Sequence, residues 1–548
     1  MSRSVTLRAW QREALTRFAD ARPSSFLAVA CPGAGKTTFA LAAARQRLAG
    51  EHLPIVVVVP TQHLKTQWAE AGLRFGFHLD PDWSAAAGRL PADMHGIVVT
   101  YAQAASSARV LRELVRGGFA ILDEVHHAAS DRSWGDGVRV AFEEAWCRLL
   151  LSGTPFRTDD NPIPFVEYTF GDYGEAMPDY EYGYGEALTE GGVVRPVFFP
   201  RFDGHMEWLS AEGEERSATF DDEVLRTEWG ARLRTALSVE GQWLPTVVDH
   251  AHHRLTEIRT EHPDAAGLII ATDHEHARGI ASMIERRHGV TPSIALSDDP
   301  NASRVIERFG ASSDQWIVAV RMISEGVDIP RLRVGVFATT TTTAMFFRQA
   351  VGRIARWTAG LRSQRAYMYL PDDPRLRVHA ASIAQQRRHS IDKRRERDGD
   401  DPAALDELRR PPGGEEQMSL FAALSSTVLT AAPPTDGLDP HEDLVARPDD
   451  MVGYPVDLPP PPPLPGRGDA PSPGGGLASI RTRKQEKESL RTRNADRVRA
   501  IVNLTGQSHA QINGELNRLA GIDRITEATV AQLEKRLVEA DKWLSRLA

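Results

Sequence analysis

The sequence predicts an α/β protein with two tandem parallel-sheet domains, then a proline-rich linker and a small helical C-terminal module. Short β-branched runs recur at intervals of one helix: FLAVA at 26–30, IVVVV at 55–59, IVVTY at 97–101, FAILDE at 119–124 and RLLLSGT at 148–154. Continuous apolar strands separated by helices belong to a parallel sheet covered on both faces. The series begins again with GLIIAT at 267–272, SIALS at 293–297, WIVAV at 316–320, VGVFAT at 334–339 and AYMYL at 366–370, so a second sheet follows the first. From Asp401 to Gly476 the composition shifts to Pro, Gly, Asp and Ala, peaking at LPPPPPLPG from Leu458, which favours an extended, semi-rigid spacer. The expected units are therefore residues 1–200, a connector over 201–262, a second domain over 263–400, the linker over 401–476 and a basic helical module over 477–548.

Bulk composition narrows the function classes. At 548 residues the chain has room for three or four domains of ~150 residues. A net charge of -9 excludes a wholly basic nucleic-acid coat, so any nucleic-acid site is local. The two cysteines, Cys31 and Cys147, exclude a disulfide framework and a Cys-rich zinc module, and they fit a reducing cytoplasm. MSRSVTLRAWQ carries no apolar signal segment and IVVVV is too short to cross a bilayer, so a cytoplasmic location without a membrane is expected.

The run ACPGAGKTT at 30–38 closes one apolar strand and opens the helix-forming stretch FALAAARQRLA. A glycine-rich turn in that place leaves backbone N–H groups to converge on phosphate oxygens, with the helix dipole adding positive potential. Gly33, Ala34, Gly35, Lys36, Thr37 and Thr38 are the expected nucleotide contacts: Gly33 and Gly35 make the turn, Lys36 supplies a mobile charge, and Thr37 holds Mg²⁺. Ala30 stands where the common form of this loop opens with Gly. The nucleotide is ATP or GTP. FAILDEVHH ends a later strand with two adjacent carboxylates, Asp123 for the Mg²⁺ shell and Glu124 to orient or deprotonate the attacking water. Standing alone, such a pair is also a helix N-cap signal. In FFRQAVGRIAR, Arg353 and Arg356 lie three apart on an expected helix, hence on one face, where two guanidinium groups suit a transferring phosphoryl group.

Other features point elsewhere. HAHH at 250–253 and HEH at 274–276 suggest a metal only weakly, since no third carboxylate or Cys ligand is near, and the histidines of HEH, after GLIIATD, read as the start of a surface helix. No acidic pair is followed by a Glu-x-Lys or Asp-x-Lys element, so nuclease chemistry is unsupported. The basic run from Arg481 to Arg499 fits a solvated helix, a nucleic-acid grip or a docking surface for a protein partner. A closing helix places Val530, Leu533, Leu537, Ala540, Leu544 and Leu547 on one stripe.

The ordered set ACPGAGKTT, VVPTQ at 58–62, VVTY at 98–101, DEVH at 123–126, SGTPFR at 152–157, ISEGVDIP at 323–330 and QAVGRIAR at 349–356 resembles the motifs of superfamily 2 DEAD/DEAH-box helicases. Within that superfamily it is most similar to the group of the type I and type III restriction motor subunits, UvrB and XPB-like translocases. The resemblance covers residues 5–375 and implies two RecA-like domains with ATP and Mg²⁺ in the cleft between them. It implies that Gln11, in LRAWQ, reads the adenine, and that His126 and Gln349 link the ATP site to the second domain. It further implies that Ser152 and Thr154 couple hydrolysis to strand movement, that Gly326 and Asp328 contact the nucleotide on closure, and that Arg353 and Arg356 are arginine fingers. DEVH in place of DEAD favours DNA over RNA as the track, and Ala350 stands where many relatives carry Arg. The implied activity is an ATP-dependent DNA helicase or translocase. The alternatives are an RNA helicase, and an ATP-switched DNA clamp that recruits a partner such as a nuclease without unwinding.

Overall fold

The computed structural model describes residues 4–91, 93–129, 132–153, 157–158, 162–170, 173–209, 215–296, 299, 301–320, 329–361, 364–398, 427–432, 453–462, 483–505, 507–522 and 528–547. Each of the ten apolar runs contains a strand. The first sheet is parallel and has seven strands, in the spatial order Tyr180–Tyr182, Ser25–Ala30, Cys147–Ser152, Phe119–Leu122, Ile55–Val59, Gly96–Thr100 and Leu79–Asp80. Its central strands are buried on both faces, which is why they read as unbroken β-branched runs rather than as alternation. Packing sets the register. At Gly96 an added Cβ would collide with the Ile55 carbonyl, so only glycine fits beside that strand.

The second sheet has a parallel core ordered Ala366–Pro371, Leu332–Ala338, Ala266–Ala271, Trp316–Val320 and Ser293–Ala295. It extends beyond that core. Arg201–Leu209 pairs parallel to Ala366–Pro371, and Glu215–Thr219 pairs antiparallel to Arg201–Leu209, so residues expected in a connector are strands of this sheet. Their polar alternation, with Phe202, Met206 and Ala218 inward, is that of half-exposed edge strands and carries no continuous apolar signal. The helices Trp229–Ala236 and Trp243–Glu261 follow.

Parts of the stretch expected to be a free tether lie on both α/β units. Thr427–Ala432 pairs antiparallel with the Arg201–His205 portion of the second sheet's edge, and Tyr454–Asp457 pairs antiparallel with Ser4–Leu7. The prolines that follow donate no N–H, yet their carbonyls accept. Arg45 Nε donates to Pro459 O at 2.6 Å, His95 Nε2 bonds Pro462 O at 2.8 Å, and Leu458 is buried in the first unit's core.

The C-terminal module is three helices, Arg483–Thr505, His509–Ala520 and Val530–Leu547. Val530, Leu533, Leu537 and Ala540 are buried as the stripe requires. The buried Arg536 joins all three helices through Asn494 at 3.0 Å, Asn513 at 2.5 Å and Asn517 at 2.8 Å. Asp93 anchors this module to the first unit, paired with Lys487 at 3.3 Å and accepting the Val530 N–H at 3.2 Å.

Replacing the buried Leu458 with Asp places an unpaired charge in an apolar site, an effect worth several kcal/mol locally. Leu458→Asp is expected to release the strap, so that limited proteolysis cuts between residues 453 and 483 at least about tenfold faster while the two α/β units stay intact. An unchanged cleavage rate would mean that the strand pairing at residues 454–457 holds the strap by itself.

Candidate nucleotide site at the sheet edge

In a parallel sheet the chain crosses over behind the strands, so the strand ends facing away from the crossover helices gather on one edge. Here Ala30, Val59, Thr100, Leu122 and Ser152 end the five central strands on that edge. The glycine-rich turn leaves Ala30 with Gly33 at φ 84° and Gly35 at φ 90°, and Gly35 caps the helix Lys36–Arg47. An L-residue in that backbone region costs about 1–2 kcal/mol, so these two positions call for glycine. Thr37 and Thr38 fall in the helix's first turn.

Three side chains from LRAWQ hold the turn by its carbonyls. Arg8 Nη1 donates to Gly33 O at 2.9 Å, Trp10 Nε1 to Ala34 O at 3.1 Å, and Gln11 Nε2 to Gly35 O at 2.9 Å. Gln11 Oε1 in turn accepts the Arg8 N–H at 2.8 Å, so both ends of its amide are engaged on the chain itself. Trp10 is buried and stacks on Tyr182 with ring centroids 5.2 Å apart. Sequence reasoning singled out Gln11 and missed Arg8 and Trp10; the LRAWQ run was the signal, but which of its side chains reach the turn is a matter of tertiary contact. Cys31 lies in the same turn, and burial pushes its thiol up to about 12, which suits a packing residue and not a nucleophile.

The acidic pair follows the strand Phe119–Leu122. Glu124 has φ 49°, a left-handed backbone that a non-glycine residue adopts where the surroundings impose it. Its carboxylate pairs with Lys36 Nζ at 3.2 Å and accepts the Gly153 N–H at 3.0 Å. Burial works against the charge on Glu124, but Lys36 outweighs it, with the hydrogen bond from the Gly153 N–H adding to it, and the carboxyl is held low. Asp123 is pushed the other way, by burial and by the charge of Glu124 beside it. Its Oδ2 accepts from Trp68 Nε1 at 2.8 Å and its carbonyl accepts from Tyr101 Oη at 2.9 Å. The Thr37 hydroxyl, in the first turn of the helix that follows the glycine turn, and the Asp123 carboxylate are hard oxygen donors of the kind Mg²⁺ takes.

The second α/β unit reaches this edge. Gln349 Nε2 donates to His126 Nε2 at 3.1 Å, and His126 Nδ1 faces Ser152 Oγ at 3.4 Å and Glu124 Oε2 at 3.7 Å. Burial lowers His126 to about 4, so the ring is neutral at pH 7 and its Nε2 lone pair is available to Gln349. A Cβ at Gly33 would lie 3.0 Å from Arg356 Cδ, and one at Gly352 would lie 2.6 Å from Pro32 Cγ, so the arginine segment is packed against the turn. The helix carrying Gln349 and Arg353 ends at Ile354, and Arg356 lies beyond it in a β-bridge with Val194. Arg353 and Arg356 are thus not on one helical face as their spacing predicts, because the chain leaves the helix to meet Val194. Thr154, Gly326 and Asp328 lie outside the described residues.

The histidine clusters serve packing. His252 accepts from Trp316 Nε1 at 3.2 Å and stacks on His288, and His276 bonds Leu237 O at 2.8 Å. Among the described residues no helix is long and apolar enough to cross a membrane.

The family described as "Type III restriction enzyme, res subunit" matches residues 4–157, and that described as "Helicase conserved C-terminal domain" matches residues 252–358. The chain is 42% identical over 404 residues to "Uncharacterized protein ML1624" of Mycobacterium leprae, covering 73% of this chain and 67% of that protein. It is 42% identical over 409 residues to "Uncharacterized protein Rv2917" of Mycobacterium tuberculosis, covering 74% and 67%. The chain thus spans about two thirds of the length of these mycobacterial relatives. It is also 25% identical over 379 residues to "DNA 3'-5' translocase XPB2" of Sulfurisphaera tokodaii, covering 64% of this chain and 79% of that protein.

Trp10→Phe keeps the aromatic stacking but removes the donor to Ala34. Nucleotide affinity, read by titration with a fluorescent nucleotide, is expected to fall about two- to tenfold, the worth of one neutral hydrogen bond. Wild-type affinity in this variant would show that Arg8 and Gln11 suffice to shape the turn.

Proposed function

The chain belongs to the superfamily 2 helicases related to the restriction-enzyme motor subunits, and from that premise we propose that it is an ATP-driven DNA helicase or translocase. The observation that carries the reading is the meeting of both units at one edge: Gln349 on His126, and Arg356 against Gly33, beside Lys36, Asp123 and Glu124. A phosphoryl-transfer site needs positioned positive charge and an oriented water more than it needs covalent chemistry.

In this reading the turn and Lys36 bind the β- and γ-phosphates, and Lys36 exchanges its contact with Glu124 for the phosphate oxygens. Glu124 is then released to orient the attacking water and take its proton. Thr37 and Asp123 would hold Mg²⁺, which neutralises charge on the phosphate oxygens when bound. Arg356, supplied by the second unit, stabilises charge on the transferring group, with Arg353 as the neighbouring candidate. Hydrolysis therefore depends on closure. The Gln349–His126–Ser152 chain reports the position of the second unit to the acidic pair and to the strand end at Ser152. The nucleic-acid strand runs across both units, held through its phosphates near Thr61, Thr100 and the motif at 323–330. Contacts of that kind are independent of sequence and weaken with salt. DNA is preferred as the track on the DEVH motif and on the similarity to a DNA translocase.

Glu124→Gln should lower ATP turnover by ~10² to 10⁴ while nucleotide binding persists. Retained turnover would remove Glu124 from the mechanism. Arg356→Ala should cost ~10³ or more in turnover with little change in nucleotide affinity in the open form. ATP turnover of the wild-type chain should rise with single-stranded or forked DNA, less so at higher salt, and not with RNA. Stimulation by RNA alone would reassign the track, and no stimulation by any nucleic acid would favour a partner-activated clamp.

A further inference from the structure

We infer that Trp68 and Tyr101 are positioning residues that transmit the presence of bound nucleic acid to Asp123. The inference rests on the proposed strand path past Thr61 and Thr100. Thr61 is the N-cap of the helix Gln62–Arg74, and Trp68 lies nearly two turns into that helix with its side chain buried. Thr100 is the N-cap of the helix Tyr101–Ser106, its hydroxyl accepting the Gln103 N–H at 3.2 Å, and Tyr101 is the first residue of that helix. Each helix that begins at a proposed phosphate contact therefore places one hydrogen-bond donor on the same aspartate.

The two donors act on different atoms. Trp68 Nε1 reaches carboxylate Oδ2 at 2.8 Å, and Tyr101 Oη reaches the backbone carbonyl at 2.9 Å. One orients the carboxylate and the other holds the main chain where it turns into the left-handed Glu124. Lys65 Nζ joins the helices by donating to Gln103 Oε1 at 3.0 Å, and the same oxygen accepts the Thr100 N–H at 3.0 Å. A shift of either helix on gripping phosphate is thereby carried to Asp123 through rigid, buried aromatic rings. Buried Trp and Tyr donors take a partner wherever one is in reach, so it is the convergence of both on the one aspartate that carries the inference.

Coupling between two sites is reciprocal, so it is measurable from the nucleic-acid side without turnover. The affinity of the full chain for a fluorescently labelled single-stranded DNA oligonucleotide is measured by anisotropy, with and without a non-hydrolysable ATP analogue and Mg²⁺. The wild-type chain should show a coupling factor of about 5 to 150. Trp68→Phe and Tyr101→Phe should each reduce that factor by at least about threefold, while affinity for the oligonucleotide alone stays near wild type. Wild-type coupling in both variants would overturn the inference and leave the proposed function standing. A wild-type chain that binds the oligonucleotide but shows no coupling would likewise overturn the inference. If Trp68→Phe does not fold, Tyr101→Phe decides, since it removes a single oxygen.

Discussion

The backbone of the turn between Ala30 and Lys36 is the constraint on which the remaining geometry depends. Two left-handed residues in close succession bring the chain from a buried strand into a helix without covering the strand edge, and glycine alone does this without strain. The same absence of Cβ atoms has a second effect. It lets Arg356 pack over Gly33, and across the interface the missing Cβ of Gly352 likewise lets Pro32 sit against it. Gly33 thus serves both the turn and the approach of the second unit, whereas Gly35 faces Gln11 of the first. The turn is braced from outside by Arg8, Trp10 and Gln11, which take its carbonyls and so set its shape in advance of any ligand.

Around this turn the charges are arranged in exchangeable pairs. Lys36 is paired with Glu124 in the structure, and in the proposed mechanism a phosphate competes for it and so frees Glu124. The neutral His126 is suited to the opposite task, because an uncharged ring accepts the Gln349 amide at no electrostatic penalty beside Lys36. The closed arrangement is further supported by a continuous apolar cluster containing residues of both units, Ala34 and Leu41 from the first and Ala350 and Ile354 from the second. The tail adds contacts to each, through residues 427–432 on one sheet edge and residues 454–462 on the other unit.

The ten core strands were legible because burial on both faces demands apolar residues at every position, a pattern that survives without any knowledge of neighbours. Arg201–Leu209 and Glu215–Thr219 were not, since an edge strand with one wet face alternates and resembles a polar connector. The segment around Leu458 misled in a different way. Its composition correctly describes an extended chain, but composition says nothing about Arg45 and His95 waiting for two proline carbonyls. Within the site, Lys36, Asp123 and Glu124 stand out in the sequence by their motifs, and the structure brings Lys36 to 3.2 Å from Glu124. Trp68 and Tyr101 were not, since a core aromatic and an aromatic donor look alike in one dimension.

By itself, the sequence determined the local chemistry: a glycine turn of the right length, an adjacent pair of carboxylates, and two sets of strands that must lie parallel. Those features depend on backbone freedom and hydrophobic patterning, which act over a few residues. The tertiary structure alone decided which groups meet across long separations, such as Gln349 with His126, Arg356 with Gly33, and Trp68 with Asp123. Such contacts are set by how sheets and helices pack in three dimensions, and their energy is spread over the whole core rather than written at the positions that touch.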